Sequence, residues 1–232
     1  MTTTHQANVA PLAALEFTNR REVVLKALRD GIVIGSLPQG MVLVETRLAE
    51  QLQVSRGTVR EALLELQQEQ LVSNGPTGRP QVRTLDSKTV LDLFQVRASL
   101  ESLAVQLIAA SPEAEDKREQ LRELLIPLGD DAGAVLVDRV DADMTFHRTL
   151  CELSGNEVLL NTWASIEGPV RMAIMHAGKD IALSNMTAHS HEPYIAALDP
   201  DCDDPGALIF ATLVTTASDL LAATEHPQQD KK

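Results

Sequence analysis

The spacing of apolar positions divides the chain before any motif is considered. Residues 1–18 show no sustained period and read as a flexible arm. From Asn19 onward, Val24, Leu25, Leu28 and Ile32 recur at helical spacing, interrupted by Lys26 and Arg29, and predict a helix that ends near Gly31 or Gly35. Pro38 to Gly40 reads as a turn. Thr46–Gln53 predicts a short helix, and Ser55 is a good N-cap for another that runs from Arg56 to about Glu69 with Val59, Ala62, Leu63 and Leu66 inward. Leu71–Ser73 and Gln81–Thr84 read as two short strands around the Gly/Pro-containing turn Asn74–Pro80. Two short helices joined by a tight turn and followed by a hairpin make a winged helix-turn-helix over residues 19–84.

Beyond Asp86 no stretch alternates with period two for long, and residues 87–224 read as an all-α bundle. Ser87–Ala110 carries Leu93, Val96, Leu100, Leu103 and Leu107 at helical spacing. Further helices are expected at Pro112–Leu128, Gly133–Ser154, Asn156–His176 with a break at Gly168-Pro169, Ala188–Leu198 and Gly206–Thr224, before a frayed tail at 225–232. The fold class is therefore mainly α, an N-terminal winged helix-turn-helix followed by an all-α helical bundle.

Composition supports this reading. Aromatic residues make up 3% of the 232 residues, so the core must be built from Leu, Val, Ile and Ala, which favours packed helices. No apolar run reaches the roughly 20 residues of a membrane span, and the N-terminus lacks the pattern of a secretory signal. Cys151 and Cys202 read as two reduced thiols, consistent with a cytoplasmic protein and no membrane partner. The formal charge of −13 argues against a nucleic-acid ligand until its distribution is considered. Residues 19–84 hold nine Arg and Lys against seven Asp and Glu, leaving eleven against twenty-six elsewhere, so a slightly basic module precedes an acidic one.

Arg56, Thr58 and Arg60 fall at the start of the second short helix, where a recognition helix reaches bases and phosphates; an ordinary solvated helix face is the alternative. Asp143 and His147, four apart, project from one helical face, with Phe146 and Leu150 beside them. With His191 on a later helix they form a candidate set of ligands for a divalent first-row metal, Zn or Ni, and His176 and His189 are further candidates. A hydrogen-bonded core pair is the alternative. Arg97 and Glu101 lie four apart on an apolar face, as a structural ion pair or as a guanidinium awaiting a ligand carboxylate; Arg171 admits the same two readings.

The segment Leu48–Val72, LAEQLQVSRGTVREALLELQQEQLV, resembles the DNA-binding domain of the GntR family of bacterial transcription regulators, whose signature runs LAxxLGVSRxPVREALxxLxxEGLV. The resemblance implies that Arg56, Thr58 and Arg60 contact operator DNA, with Gly78 and Arg79 in the wing. An arginine that the family often carries ahead of these helices falls at Thr46, with Arg47 next to it. Gln53 stands where the family has Gly, Thr58 where it has Pro, and Pro80 where the wing has its second Gly.

The bundle is similar to the FCD ligand-binding domain of the FadR-like branch. Gln95–Glu101 resembles its VRxxLE opening, Asp143–His147 with Ser154-Gly155-Asn156 its DxxFH…SxN segment, and Ser190–Leu198 its EHxxILxAL helix, with Ser190 in place of Glu. The resemblance implies a metal at Asp143, His147 and His191, with Thr215 near the position of a fourth ligand, and an effector beside it at Arg97, Glu101, Asn156 and Arg171. The expected function is an effector-responsive DNA-binding transcription regulator, a homodimeric repressor on double-stranded operator DNA, released by a small organic acid. A metal-free sensor of a larger ligand such as an acyl thioester, and a metal-dependent hydrolase or lyase, are the alternatives; nothing resembles a positioned nucleophile, so no enzyme is expected.

Overall fold

A computed structural model describes residues 20–129, 136–176 and 183–225. The arm at 1–18, the start of the helix expected from Gly133 and most of the tail lie outside these residues. Three helices, α1 (Arg20–Val33), α2 (Glu45–Leu52) and α3 (Arg56–Gln68), precede the hairpin β1 (Val72–Asn74) and β2 (Pro80–Val82). The strands pair antiparallel in the register Val72↔Val82, Ser73↔Gln81, Asn74↔Pro80, and Val42 adds a bridge to Gln81. The bundle follows as α4 (Ser87–Ala109), α5 (Ala114–Glu123), a 3-10 turn at Ile126–Leu128, α6 (Leu136–Leu153), α7 (Glu157–His176), α8 (Ala188–Ala197) and α9 (Pro205–Glu225).

The N-terminal domain closes where the sequence pattern places its apolar stripes. Val24, Leu25, Leu28 and Ile32 of α1 meet Val59, Ala62, Leu63 and Leu66 of α3 in a continuous buried cluster. Ser55 caps α3 by accepting from the Thr58 amide at 3.1 Å, and Asp86 caps α4 by accepting from Thr89 at 2.8 Å.

Two expected helices differ from the structure. The Pro112–Leu128 helix stops at Glu123 and gives way to the 3-10 turn, because Pro127 disfavours the α conformation at the residue before it. The break expected at Gly168-Pro169 is absent, and α7 runs through it. Trp163, Ile166, Val170 and Ala173 are buried along that helix, and their packing outweighs the ~3 kcal/mol that an interior proline costs. Pro205–Ala222 of α9 is also long and apolar enough, by composition, to cross a membrane, which corrects the expectation that no segment would be. Asp219 is the one charged residue in that window, and 28% of the window is buried in the chain.

Gln53, which stands where the resembling family has Gly, shares an unusual backbone conformation with Gln70. Gln53 ends α2 at φ 52° and Gln70 follows α3 at φ 57°, both in the left-handed region that glycine adopts without cost. A side chain there costs about 1–2 kcal/mol, against which glycine's greater freedom in the unfolded chain costs about 0.5–1 kcal/mol. Gln53→Gly and Gln70→Gly should therefore each raise stability by about 0.5–1 kcal/mol in urea denaturation. A loss of stability in both would mean that their side chains make contacts outweighing the strain.

Candidate metal centre and nucleic-acid interface

Glu101 of α4 is fully buried, and donors from four helices converge on its carboxylate. Arg97 Nε, from its own helix, lies 2.8 Å from Oε1. Trp163 Nε1 of α7 donates to the same oxygen at 2.9 Å. On the other oxygen, Tyr194 Oη of α8 donates at 2.6 Å, and His147 Nδ1 of α6 stands at 3.0 Å. Burial alone would raise the carboxyl's pKa, but the charge of Arg97, with His147 and Tyr194, holds it well below the usual range. Glu101 is therefore an anion at neutral pH, and these partners offset a desolvation cost of several kcal/mol.

The ligand candidates form the next layer. A carboxylate or carbonyl can only accept, so His147 Nδ1 donates to Glu101 and His191 Nδ1 donates to the Thr187 carbonyl at 2.8 Å. In the neutral imidazoles both Nε2 atoms then keep their lone pairs, and the two atoms lie 3.2 Å apart. Asp143 Oδ1 lies 3.2 Å from His191 Nε2, and Asp143 Oδ2 is buried without a hydrogen-bond partner. One ligand atom from each of the three residues fits within 4.8 Å of the others. Bare imidazole nitrogens beside an orphaned carboxylate oxygen fit a first-row divalent ion at about 2.0–2.2 Å from each.

Local sequence explains the placement. Asp143 and His147 are one turn apart on α6, and His191 is held by a capping box at the start of α8. There the Thr187 hydroxyl accepts from the Ser190 amide at 3.1 Å while Ser190 Oγ accepts from the Thr187 amide at 3.0 Å. Ser190 thus takes over the capping role open to the glutamate of the resembling helix.

The structure separates the remaining candidates. Arg97 and Glu101 are an ion pair within the cluster. Asn156 instead caps α7, its Oδ1 accepting from the Leu159 amide at 3.1 Å. Arg171 pairs with Asp141 beside a separate cavity shared with Arg29 and Glu69. Thr215 is exposed, its hydroxyl bonded to the Ala211 carbonyl at 3.0 Å, and the buried face of α9 carries Ile209, Leu213, Ala217 and Leu220, none of them a ligand. His176 lines a cavity between α1 and α7. Trp163 and Tyr194 are the members that sequence reading missed. Their signal was available, since each is a buried aromatic with a polar head that requires a partner.

In the N-terminal domain, Arg47, Arg56, Arg60, Gly78 and Arg79 are all exposed and Thr58 is half-buried. Thr58 Oγ1 and Ser55 Oγ share a hydrogen bond of 2.8 Å at the start of α3. Arg60 makes two bonds to Glu45, Nε to Oε1 at 3.0 Å and Nη2 to Oε2 at 2.8 Å, so its guanidinium is held at the surface by α2. Gly78 turns the wing at φ 73°, and its amide donates to the Gly75 carbonyl at 2.8 Å.

Comparison with known proteins follows this division. Residues 20–78 match the bacterial regulatory proteins of the gntR family, and residues 92–201 match the FCD domain. Over 215 residues, covering 89% of this chain and 91% of the relative, the chain is 31% identical to a probable D-xylose utilization operon transcriptional repressor of Paenarthrobacter nicotinovorans. It is 35% identical over 129 residues to the Nta operon transcriptional regulator of Aminobacter aminovorans, covering 56% and 61% of the two chains. In fold it resembles a GntR transcriptional regulator from Rhodococcus sp. RHA1 at a TM-score of 0.67 and 24% identity, covering 88% of this chain and 99% of that one. McbR/YncC of E. coli also gives a TM-score of 0.67, at 21% identity, covering 89% and 99%.

The depressed groups of the cluster predict how stability depends on pH. Burial, followed by the charge of Arg97, holds His147 below its ordinary value, so the unfolded chain takes a proton near pH 6.5 that the native cluster refuses. Stability of the metal-free protein should be full above about pH 6.5 and fall as the pH drops through that value. Asp143 and Glu101, both held low, should extend the loss below about pH 4. Urea midpoints of chelator-treated protein measure this, and a midpoint that stays level or rises between about pH 7 and pH 5.5 would show that the native cluster does not hold His147 low.

Proposed function

The chain belongs to the GntR family of bacterial transcription regulators, in the group with an FCD domain, and on that premise we propose a homodimeric repressor that leaves its operator when a small organic acid occupies the Glu101 cluster. The chain is a DNA-binding regulator and not an enzyme, which sets aside the hydrolase or lyase alternative. The observation that carries the effector reading is the arrangement of Asp143, His147 and His191. Two bare Nε2 lone pairs and the orphaned Asp143 Oδ2 meet beside Arg97. The metal-free alternative would leave that oxygen buried and unpaired, at a cost of about 1–3 kcal/mol or more.

Charge favours an anionic effector. Arg97 against Glu101 and Asp143 leaves the cluster at −1 when both histidines are neutral. With a divalent ion held by Asp143, His147 and His191 it stands at +1, which one carboxylate neutralises. Such an ion would supply a Lewis-acidic position for an effector oxygen. Arg97 and Tyr194 then orient the effector, and the buried position of both excludes water. Zn or Ni suits the nitrogen-rich donor set.

The dimer rests on an apolar ribbon. α4 packs along α9, and the pair leaves Val96, Leu103 and Leu107 of α4 and Leu208, Phe210 and Val214 of α9 exposed. A second copy covering that ribbon gives two recognition helices related by a two-fold axis, as a near-palindromic operator requires. It also accounts for so apolar a helix as α9 in a protein that works on DNA in the cytoplasm.

Two experiments test this reading. Arg56→Ala and Arg60→Ala should each weaken operator binding by about 1–3 kcal/mol in gel-shift titrations. For Arg60 the loss includes the Glu45 carboxylate left unpaired near the phosphates. Operator affinity unchanged in both variants would sink the assignment of α3. For the cluster, protein prepared in metal-replete medium should carry a divalent ion by mass spectrometry, lose it to chelator or as the pH falls well below about 6.5, and lack it in His147→Ala. If metal-replete protein carries none, and neither Zn nor Ni shifts its melting, Asp143 and His147 are an ordinary buried pair.

A further inference from the structure

The Glu101 cluster and the recognition helix are joined by α7. Trp163 donates to Glu101 from one side of that helix. Gly168, five residues along and about 7.5 Å further in helix rise, lies against the end of α3. A Cβ on Gly168 would stand 2.8 Å from the Glu69 carbonyl oxygen and 3.0 Å from Leu71 Cγ, so a backbone atom of the DNA-binding domain occupies the place of its side chain. Glu69 is the C-cap of α3, and its carboxylate is held by Arg29 of α1 through bonds of 2.8 and 2.6 Å. The metal-ligand helix reaches the same point. Arg148, next to His147, pairs with Glu167, next to Gly168, and its guanidinium lies 5.9 Å from the Trp163 ring. The cavity of about 270 Å³ at this junction is lined by Arg29, Glu69, Arg148, Glu167, Gly168 and Arg171.

We propose that the close approach of Gly168 to the Glu69 carbonyl is the joint through which the Glu101 cluster and the recognition helix respond to each other, with Trp163 and Gly168 as positioning residues on α7. The inference deepens the operator-binding reading above and rests on it. α7 runs unbroken from Trp163 through Gly168 and Pro169, with Ile166 and Val170 packed in the core, so a movement of Trp163 that follows any change around Glu101 is delivered to the end of α3. The missing side chain at Gly168 allows contact with backbone and not merely with a flexible side chain that would absorb the shift. Coupling of this kind is reciprocal: DNA held by α3 must disturb the cluster as much as the cluster disturbs DNA binding.

That reciprocity supplies a test that needs neither metal nor effector. Trp163 is the single tryptophan of the chain, so its emission reports on the cluster directly. A duplex enriched by the full-length protein from a random-sequence library is titrated, with the anisotropy of a labelled strand reading binding and tryptophan emission reading the cluster. Saturating duplex should change Trp163 emission in the wild type. In Gly168→Ala the change should fall at least about twofold while duplex affinity stays within about threefold. Alanine in an unconstrained helix raises the melting temperature, whereas here it should leave it level or lower. Emission that stays flat at saturation in the wild type, that moves equally in Gly168→Ala, or a variant that melts higher would each overturn the joint. If the variant folds poorly, the wild-type titration still tests the joint, because emission that stays flat at saturation overturns it. Zn added to the same samples tests the metal reading separately. Zn that neither binds nor shifts the melting of these samples overturns the metal reading, while a duplex-driven emission change still supports the joint.

Discussion

A carboxylate with no access to water organises the bundle. Glu101 accepts from Trp163 and Tyr194, pairs with Arg97 and is bonded to His147, so α4, α6, α7 and α8 meet at one side chain. Hydrophobic burial is non-directional and would tolerate small rotations of these helices. Four polar contacts to two oxygens do not, because each has a distance and an angle to keep. Removing one partner of such a buried pair typically costs about 3–5 kcal/mol, since the other is left uncompensated. The bonds from Glu101 to the His147 ring and from Thr187 to the His191 ring also determine which nitrogens remain free. The same side chain that ties the helices together therefore aims the lone pairs that a metal would need.

The helix-turn-helix domain follows a different logic. Its core is apolar and local, formed by α1 against α3, and its polar groups lie outside. Arg60 bonded to Glu45 and Arg29 bonded to Glu69 brace α3 against α2 and α1 at the surface. Exposed pairs contribute little to stability, and their value here is orientational. Such a domain can present arginines to phosphate while the acidic bundle, which holds most of the net negative charge, lies elsewhere in the chain.

Much of this arrangement was legible in the residues. The helical spacing of Val59, Ala62, Leu63 and Leu66 gave α3, and the four-residue interval of Asp143 and His147 gave two neighbours on α6. His191 stands in the sequence as one of three candidates for the third ligand, with His176 and His189, and the resemblance is what singles it out, because no local pattern specifies which helices of a bundle face one another. For the same reason the spacing alone places neither Trp163 and Tyr194 on Glu101 nor Asn156 at the start of α7, where its side chain caps the helix. The expected break at Pro169 shows local propensity losing to tertiary burial. Thr215, near the fourth ligand position that the resemblance implies, lies on the exposed face of α9, and the buried face of that helix offers only apolar side chains among the described residues.

The glutamines at 53 and 70 bear on how α3 is held. Both lie at left-handed positions, one at the turn that leads into α3 and the other directly after its C-cap. Side chains there are retained only where surrounding structure over-determines the backbone. After α3 that surrounding structure is identifiable. The Leu71 amide bonds to the Leu66 carbonyl at 2.9 Å, Leu71 is fully buried, and Gly168 of α7 packs against the Glu69 carbonyl and Leu71. The backbone segment that carries the strain is thus the segment the bundle touches. A strained turn has less freedom to relax locally than an unstrained one, so displacement of α7 is passed into α3 as a whole and is not dissipated at its last residue. The bundle thus touches the recognition helix at the end farthest from Arg56, and Arg56 lies on the long arm of that lever.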